Sequence, residues 1–122
     1  MDARPVPAIL ILELVGERGG SLGRDSRKVF KSASGTIGCA QDSTWVLPEP
    51  RVSFTHARID FANNAFTLTD TSSHGIQMGG TGETLKPGVP HLIRNRTRFL
   101  IGDFEIQATL LDEDGLPLSA NP

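Results

Sequence analysis

A single cysteine, Cys39, stands in this chain of 122 residues. That excludes an internal disulfide and suits a reducing compartment. There is no tyrosine and only one tryptophan, so an aromatic platform for stacking single-stranded bases is not expected. No apolar run approaches the roughly 18 residues of a membrane span. The longest runs from Ala8 to Leu12, with Leu14 and Val15 after Glu13, and is strand-sized. Basic residues are not in excess either: 12 Lys+Arg face 14 Asp+Glu, for a net charge of −2, without the concentrated basic footprint of a nucleic-acid binder. Met1-Asp2-Ala3-Arg4-Pro5 places an acid and a proline where a secretion signal carries basic residues and then a longer apolar core. The expectation is a cytoplasmic protein with no nucleic-acid partner and no membrane insertion.

What the chain does have is punctuation. Thirteen glycines and eight prolines are scattered along it, a pattern that favours many short strands joined by turns over long helices. Residues 8–15 read as a first strand with apolar side chains on both faces, hence well covered. Short strands follow at 28–31, 35–38 and 44–47, the last halted by Pro48 and Pro50. Ala57, Ile59 and Phe61 alternate with Arg58 and Asp60, a half-buried strand. Asn63-Asn64 supplies hairpin-turn chemistry, since asparagine tolerates positive φ, and Phe66 and Leu68 lie on the return strand. Further strands are expected at 76–78, 91–93, 98–101 and from Phe104 to Leu110. About ten short strands at this spacing predict an all-β sandwich.

One domain is expected over residues 8–111, after a short lead at 1–7. The segment 112–122 loses periodicity and reads either as a frayed terminus or as a linker to a further region. Gly16 to Arg27 reads as a loop.

Four short motifs share an order and spacing that carry a functional reading. They are Gly38-Cys39 at the end of a strand, Ser53-Phe54-Thr55-His56, His74-Gly75 in the run Asp70-Thr71-Ser72-Ser73-His74-Gly75, and Gly79-Gly80. Together they resemble the core of forkhead-associated (FHA) domains, β-sandwich modules of ten to eleven strands that read phosphothreonine. In that family the first pair is Gly-Arg, and asparagines stand where this chain has His74 and Gly79. A phosphothreonine dianion wants charge-assisted donors, which a guanidinium fork supplies. A serine hydroxyl adds a further bond, and an asparagine amide grips the peptide backbone. The resemblance implies that Ser53 is the retained ligand contact and that His56 braces the loop presenting it, with Gly38 and Gly75 shaping the loops. Cys39 cannot replace a guanidinium, because a thiol is a weak donor and a thiolate repels phosphate. His74, whose imidazole donates to a carbonyl when neutral and to a phosphate when protonated, is one compensator. Arg51 is another. Phe54 and Thr55 occupy positions that are basic in many relatives, with Thr55 a further hydroxyl near the ligand.

The reading is a non-enzymatic module that binds a protein or phosphopeptide through a degenerate phosphothreonine pocket. Its alternatives are a phosphate-independent scaffold that docks through a sheet face, or a working reader using compensating residues. The run Trp45-Val46-Leu47-Pro48-Glu49-Pro50 resembles FHA proteins of bacterial type VI secretion clusters, which implies secretion components as partners. Catalysis by Ser53 and His56 would need an orienting third group and an oxyanion hole, and no Gly-x-Ser-x-Gly elbow exists. Cys39, His56 and His74 offer zinc-type ligands, but at no recognised spacing, so neither metal nor cofactor is expected. Gly79-Gly80-Thr81-Gly82 has no Lys-Ser/Thr after it and is no phosphate loop. Arg94, Arg96 and Arg98, spaced by two, would share one strand face, as a solvated edge or as a patch for an acidic partner.

Overall fold

The computed structural model describes residues 6–16 and 26–118. The loop expected from Gly16 to Arg27 therefore lies mostly outside the described residues, as do both chain ends. Among the described residues there are ten strands: β1 (Ile9–Val15), β2 (Arg27–Lys31), β3 (Gly35–Gly38), β4 (Trp45–Val46), β5 (Ala57–Ala62), β6 (Ala65–Asp70), β7 (Gln77–Met78), β8 (His91–Leu92), β9 (Arg98–Ile101) and β10 (Phe104–Leu111). Among the described residues there is no α-helix, and no helix long and apolar enough to cross a membrane. The all-β expectation holds.

The strands form two five-stranded sheets, in the orders β2-β1-β10-β9-β7 and β4-β3-β5-β6-β8. Every pairing is antiparallel except β3 with β4. Period-two alternation sends one set of side chains from each sheet into a shared core. Leu10, Leu12, Phe99, Ile101, Ile106 and Ala108 come from one sheet; Ile37, Trp45, Ala57, Ile59, Phe66 and Leu68 come from the other. Each large member contributes about 1.5–3 kcal/mol by leaving water. On β1 the expected cover on both faces is found from Leu10 to Leu12, all three buried.

Strand limits shift where a side chain takes over from the ladder. Thr36 and Thr44 exchange bonds, each backbone N–H donating to the other's hydroxyl at 3.0 and 3.3 Å, so β4 begins only at Trp45. Arg94 and Arg96 are not on a strand, contrary to the shared-face expectation. They sit in a turn closed by Thr97 N–H donating to Arg94 O at 3.1 Å, and β9 starts at Arg98. Asn95 is the cause: its side chain accepts from Leu110 N–H at 3.0 Å and donates to Leu118 O at 3.2 Å, drawing the segment out of the sheet. The same bond ties down the described part of the C-terminal segment. Asp112 Oδ1 accepts from the N–H groups of Asp114 and Leu116, the chain turns, and Leu118 packs back on the core.

The β5–β6 hairpin is closed by Asn63 and Asn64 at φ 54° and 61°, the doubly positive geometry of a type I′ turn. Asn64→Val is expected to cost about 1–3 kcal/mol, because a β-branched residue is forced into the left-handed region. Asn64→Gly should be neutral or slightly stabilising; thermal unfolding of the two variants checks the difference.

Candidate functional site

The β3–β4, β4–β5 and β6–β7 connections and the β9–β10 turn meet at one end of the sandwich, forming an apex. The close pairing of Ile37 with Ala57, and of Ala57 with Asp70, sets the first three side by side. Gly38 lets the β4–β5 loop sit directly on β3. A Cβ there would stand 2.0 Å from the carbonyl oxygen of Phe54 and 2.7 Å from its carbon. That approach lets Cys39 N–H donate to Ser53 O at 3.0 Å and Ala40 N–H to Phe54 O at 3.2 Å; Ser43 Oγ also donates to Phe54 O, at 3.3 Å.

His56 ties this loop to the next. It is wholly buried; its Nδ1 accepts the N–H of Ser53 at 3.0 Å, and its Nε2 lies 3.0 Å from Gly75 O. A ring that accepts at Nδ1 and faces a carbonyl at Nε2 is satisfied only as the neutral tautomer with the proton on Nε2. Burial accordingly holds its pKa below the ordinary histidine value, against the opposing pull of the Gly75 carbonyl and the nearby Asp70; neighbouring His74 adds to the lowering. A polar chain continues beyond it. Gly75 N–H donates to Ser72 Oγ at 2.7 Å, and Ser72 donates its hydroxyl and N–H to Asp70 Oδ1 at 2.6 and 2.9 Å. Thr71 adds two more links, N–H to His56 O at 3.1 Å and hydroxyl to Thr55 O at 2.8 Å.

The two loops so fixed bring Ser53 against Ser73. Their hydroxyls are 3.3 Å apart, and Ser73 N–H donates to Ser53 Oγ at 3.3 Å. Two neighbouring hydroxyls can turn from each other to donate to an anionic oxygen. Arg51 and His74 share a cavity of about 340 Å³ with Gly75, Gln77, Leu100 and Gly102. Arg51 there pairs with Asp103 at 3.1 Å, its side chain 71% exposed, a bond of the kind that contributes little and yields readily. His74 is exposed and stacks on His56 with ring centroids 6.4 Å apart. Cys39 is half-buried against the core. Thr55 is exposed and offers its carbonyl to Thr71. Gly79 is not among the apex loops: it lies against Arg98 at the start of β9, its N–H donating to Arg98 O. Among the described residues no three His, Cys, Asp or Glu side chains group as metal ligands would.

One apex residue escapes sequence reasoning, and a second, Phe54, is legible there only as a position without its family's basic residue. Ser73 is hidden in the polar run 70–75, where neighbouring serines look alike until the fold shows which one meets Ser53. Phe54 is 77% exposed beside Ser53, an apolar side chain with no place in a phosphate pocket.

A two-sheet β-sandwich with paired, histidine-linked loops at one end is an architecture in which a rigid scaffold presents loops. The chain belongs to the FHA domain family, whose pattern matches residues 35–102; these domains are protein-interaction modules. It is 35% identical over 79 residues to mediator of DNA damage checkpoint protein 1 of Mus musculus, a match spanning 62% of this chain and 5% of that protein. It is similar in fold to the FHA domain of an Arabidopsis thaliana hypothetical protein, with a TM-score of 0.72, 18% identity, and 98% and 93% of the two chains covered. A chain solved in work on phosphothreonine-dependent FHA domain interactions gives a TM-score of 0.65 at 21% identity, over 82% of this chain and 94% of that one.

Proposed function

We propose that this chain is a non-enzymatic interaction module whose apex takes a threonine-bearing peptide through a degenerate phosphate pocket. One observation carries the reading. Next to Gly38, where the family pattern has arginine, a thiol packs toward the core, while the Ser53 and Ser73 hydroxyls remain in contact. Two neutral hydroxyls orient a phosphate but do not neutralise it. Arg51 must leave Asp103 to help, and His74 brings full charge only when protonated. Phosphate therefore adds little to the affinity, and exposed Phe54 supplies an apolar contact for the residue beside the threonine. The phosphothreonine dependence named for a structural neighbour supports the ligand class.

Restoring the cation tests this. In Cys39→Arg, phosphothreonine peptides are expected to bind about ten- to a hundredfold more tightly, the effect of one charge-assisted bond. Unphosphorylated twins should be unchanged, as isothermal titration of both peptides will read. Strong phosphate dependence in the natural chain would overturn the degenerate pocket. Equal binding of both peptides that survives Ser53→Ala would move the ligand to a sheet face.

The partner class we propose is a component of a type VI secretion assembly. The support is the run from Trp45 to Pro50. The resemblance rests on its Trp-Val-Leu-Pro stretch, Trp45 to Pro48, of which Trp45 and Leu47 are also core residues. Co-purification with such components, lost on Ser53→Ala, is the test.

A further inference from the structure

We propose that the groove along the open side of the sandwich, which shares no lining residue with the apex cavity, is a second docking site, for an acidic segment of a partner protein. It has a volume of about 510 Å³ and runs between the edge strands of the two sheets, with Met78 and Gly79 on one side and His91 on the other. Arg94, Arg96 and Arg98 line it, together with Glu83 and Glu105. Glu105 is answered by Arg98 at 3.5 Å, and Arg98 also donates to Gln107 at 2.9 Å. Among the described residues no ion pair engages the side chains of Arg94 or Arg96. A chain of net charge −2 thus gathers three arginines around one concavity and leaves two of them unengaged. Guanidinium forks so placed match carboxylates.

The backbone supplies an independent reason. Arg96 stands at φ 71°, third in the Arg94–Thr97 turn, where this geometry favours glycine or asparagine. An arginine there is strained for no packing gain, since the side chain is exposed. Strain at an exposed, charged, groove-lining residue points to a ligand rather than to folding. The occupant is protein and not nucleic acid, because the basic surface spans one turn and is interrupted by Glu83, whereas a polynucleotide needs an extended run of cations. The ligand's acidic side chains face the arginine wall, and Glu83 favours a basic or neutral residue opposite.

The test uses the full chain and a fluorescein-labelled twelve-residue peptide of alternating glutamate and serine, read by fluorescence anisotropy. Binding is expected, weaker at high salt, reduced at least about tenfold in Arg94→Glu/Arg96→Glu, and unchanged in Ser53→Ala. Arg96→Asn supplies a variant that folds at least as well. It should raise Tm by about 3–6 °C by relieving the turn and still weaken the peptide severalfold. The proposal is overturned by absence of binding, by binding indifferent to both arginine variants, or by loss of binding in Ser53→Ala. Equal affinity for a single-stranded DNA of the same length would also sink it, as a general polyanion surface.

Discussion

Gly38→Ala is expected to destabilise the domain by about 3 kcal/mol or more, at or beyond the upper end of ordinary overpacking costs. The new methyl would lie 2.0 Å from Phe54 O, 2.7 Å from Phe54 C and 2.9 Å from Ser53 O. All three are backbone atoms, so no rotamer change relieves the clash. The Phe54 carbonyl is also held by Ala40 N–H and Ser43 Oγ, and lifting it away breaks both bonds. Gly35→Ala is the control. Its methyl would meet Thr44 Oγ1 at 2.6 Å, Phe30 Cε2 at 2.8 Å and Thr44 Cβ at 2.9 Å, side-chain atoms that yield only with a small shift of the strand and of the buried Phe30 ring, so it should cost less than Gly38→Ala, about 1–3 kcal/mol. Urea unfolding of the two variants should show Gly38→Ala clearly the worse, and peptide binding at the apex should fail in it first, because Ser53 rides on the displaced loop. Equal losses would mean that the β4–β5 loop is free to lift off β3.

The two glycines also show what the sequence made legible. Alternating apolar residues and turn residues were enough to predict ten strands and the Asn63-Asn64 hairpin, since both signals are local. The order and spacing of Gly38, Ser53, His56 and Gly75 pointed to the apex because loop packing of that kind demands particular residues: a missing Cβ, a short hydroxyl, a ring with two opposed nitrogens. Contacts between loops were not legible. Ser73 meets Ser53 only after β5 and β6 pair in one register, and a polar run carries no sign of which hydroxyl faces inward. Arg94 and Arg96 misled for a related reason. Their period of two is a strand signal, but Asn95 spends its side chain on Leu110 and Leu118, and those partners are distant in sequence.

His56→Ala should cost about 3–5 kcal/mol, out of the 5–15 kcal/mol typical of a domain. The change leaves Ser53 N–H and Gly75 C=O without partners, about 1–3 kcal/mol each when buried, and opens a void where a wholly buried ring stood. The same geometry fixes a dependence on pH. Both ring nitrogens are committed, one as acceptor and one as donor, so a second proton breaks the bond to Ser53. Burial holds the folded pKa below the ordinary value near 6.5. Between that value and the lowered one, the unfolded chain binds the proton and the folded chain does not, so unfolding is favoured there. The contribution of His56 is thus complete above pH ~6.5 and is lost as pH falls through the lowered folded pKa. Urea midpoints of the natural chain should drop across that window, and the drop should shrink in His56→Ala, which has nothing there to protonate. A slope unchanged by the substitution would assign the acid sensitivity to another group and would sink the neutral-tautomer account of the loop. Loss of apex binding should track the same window, because His56 is the side chain that links the Ser53 loop to Gly75.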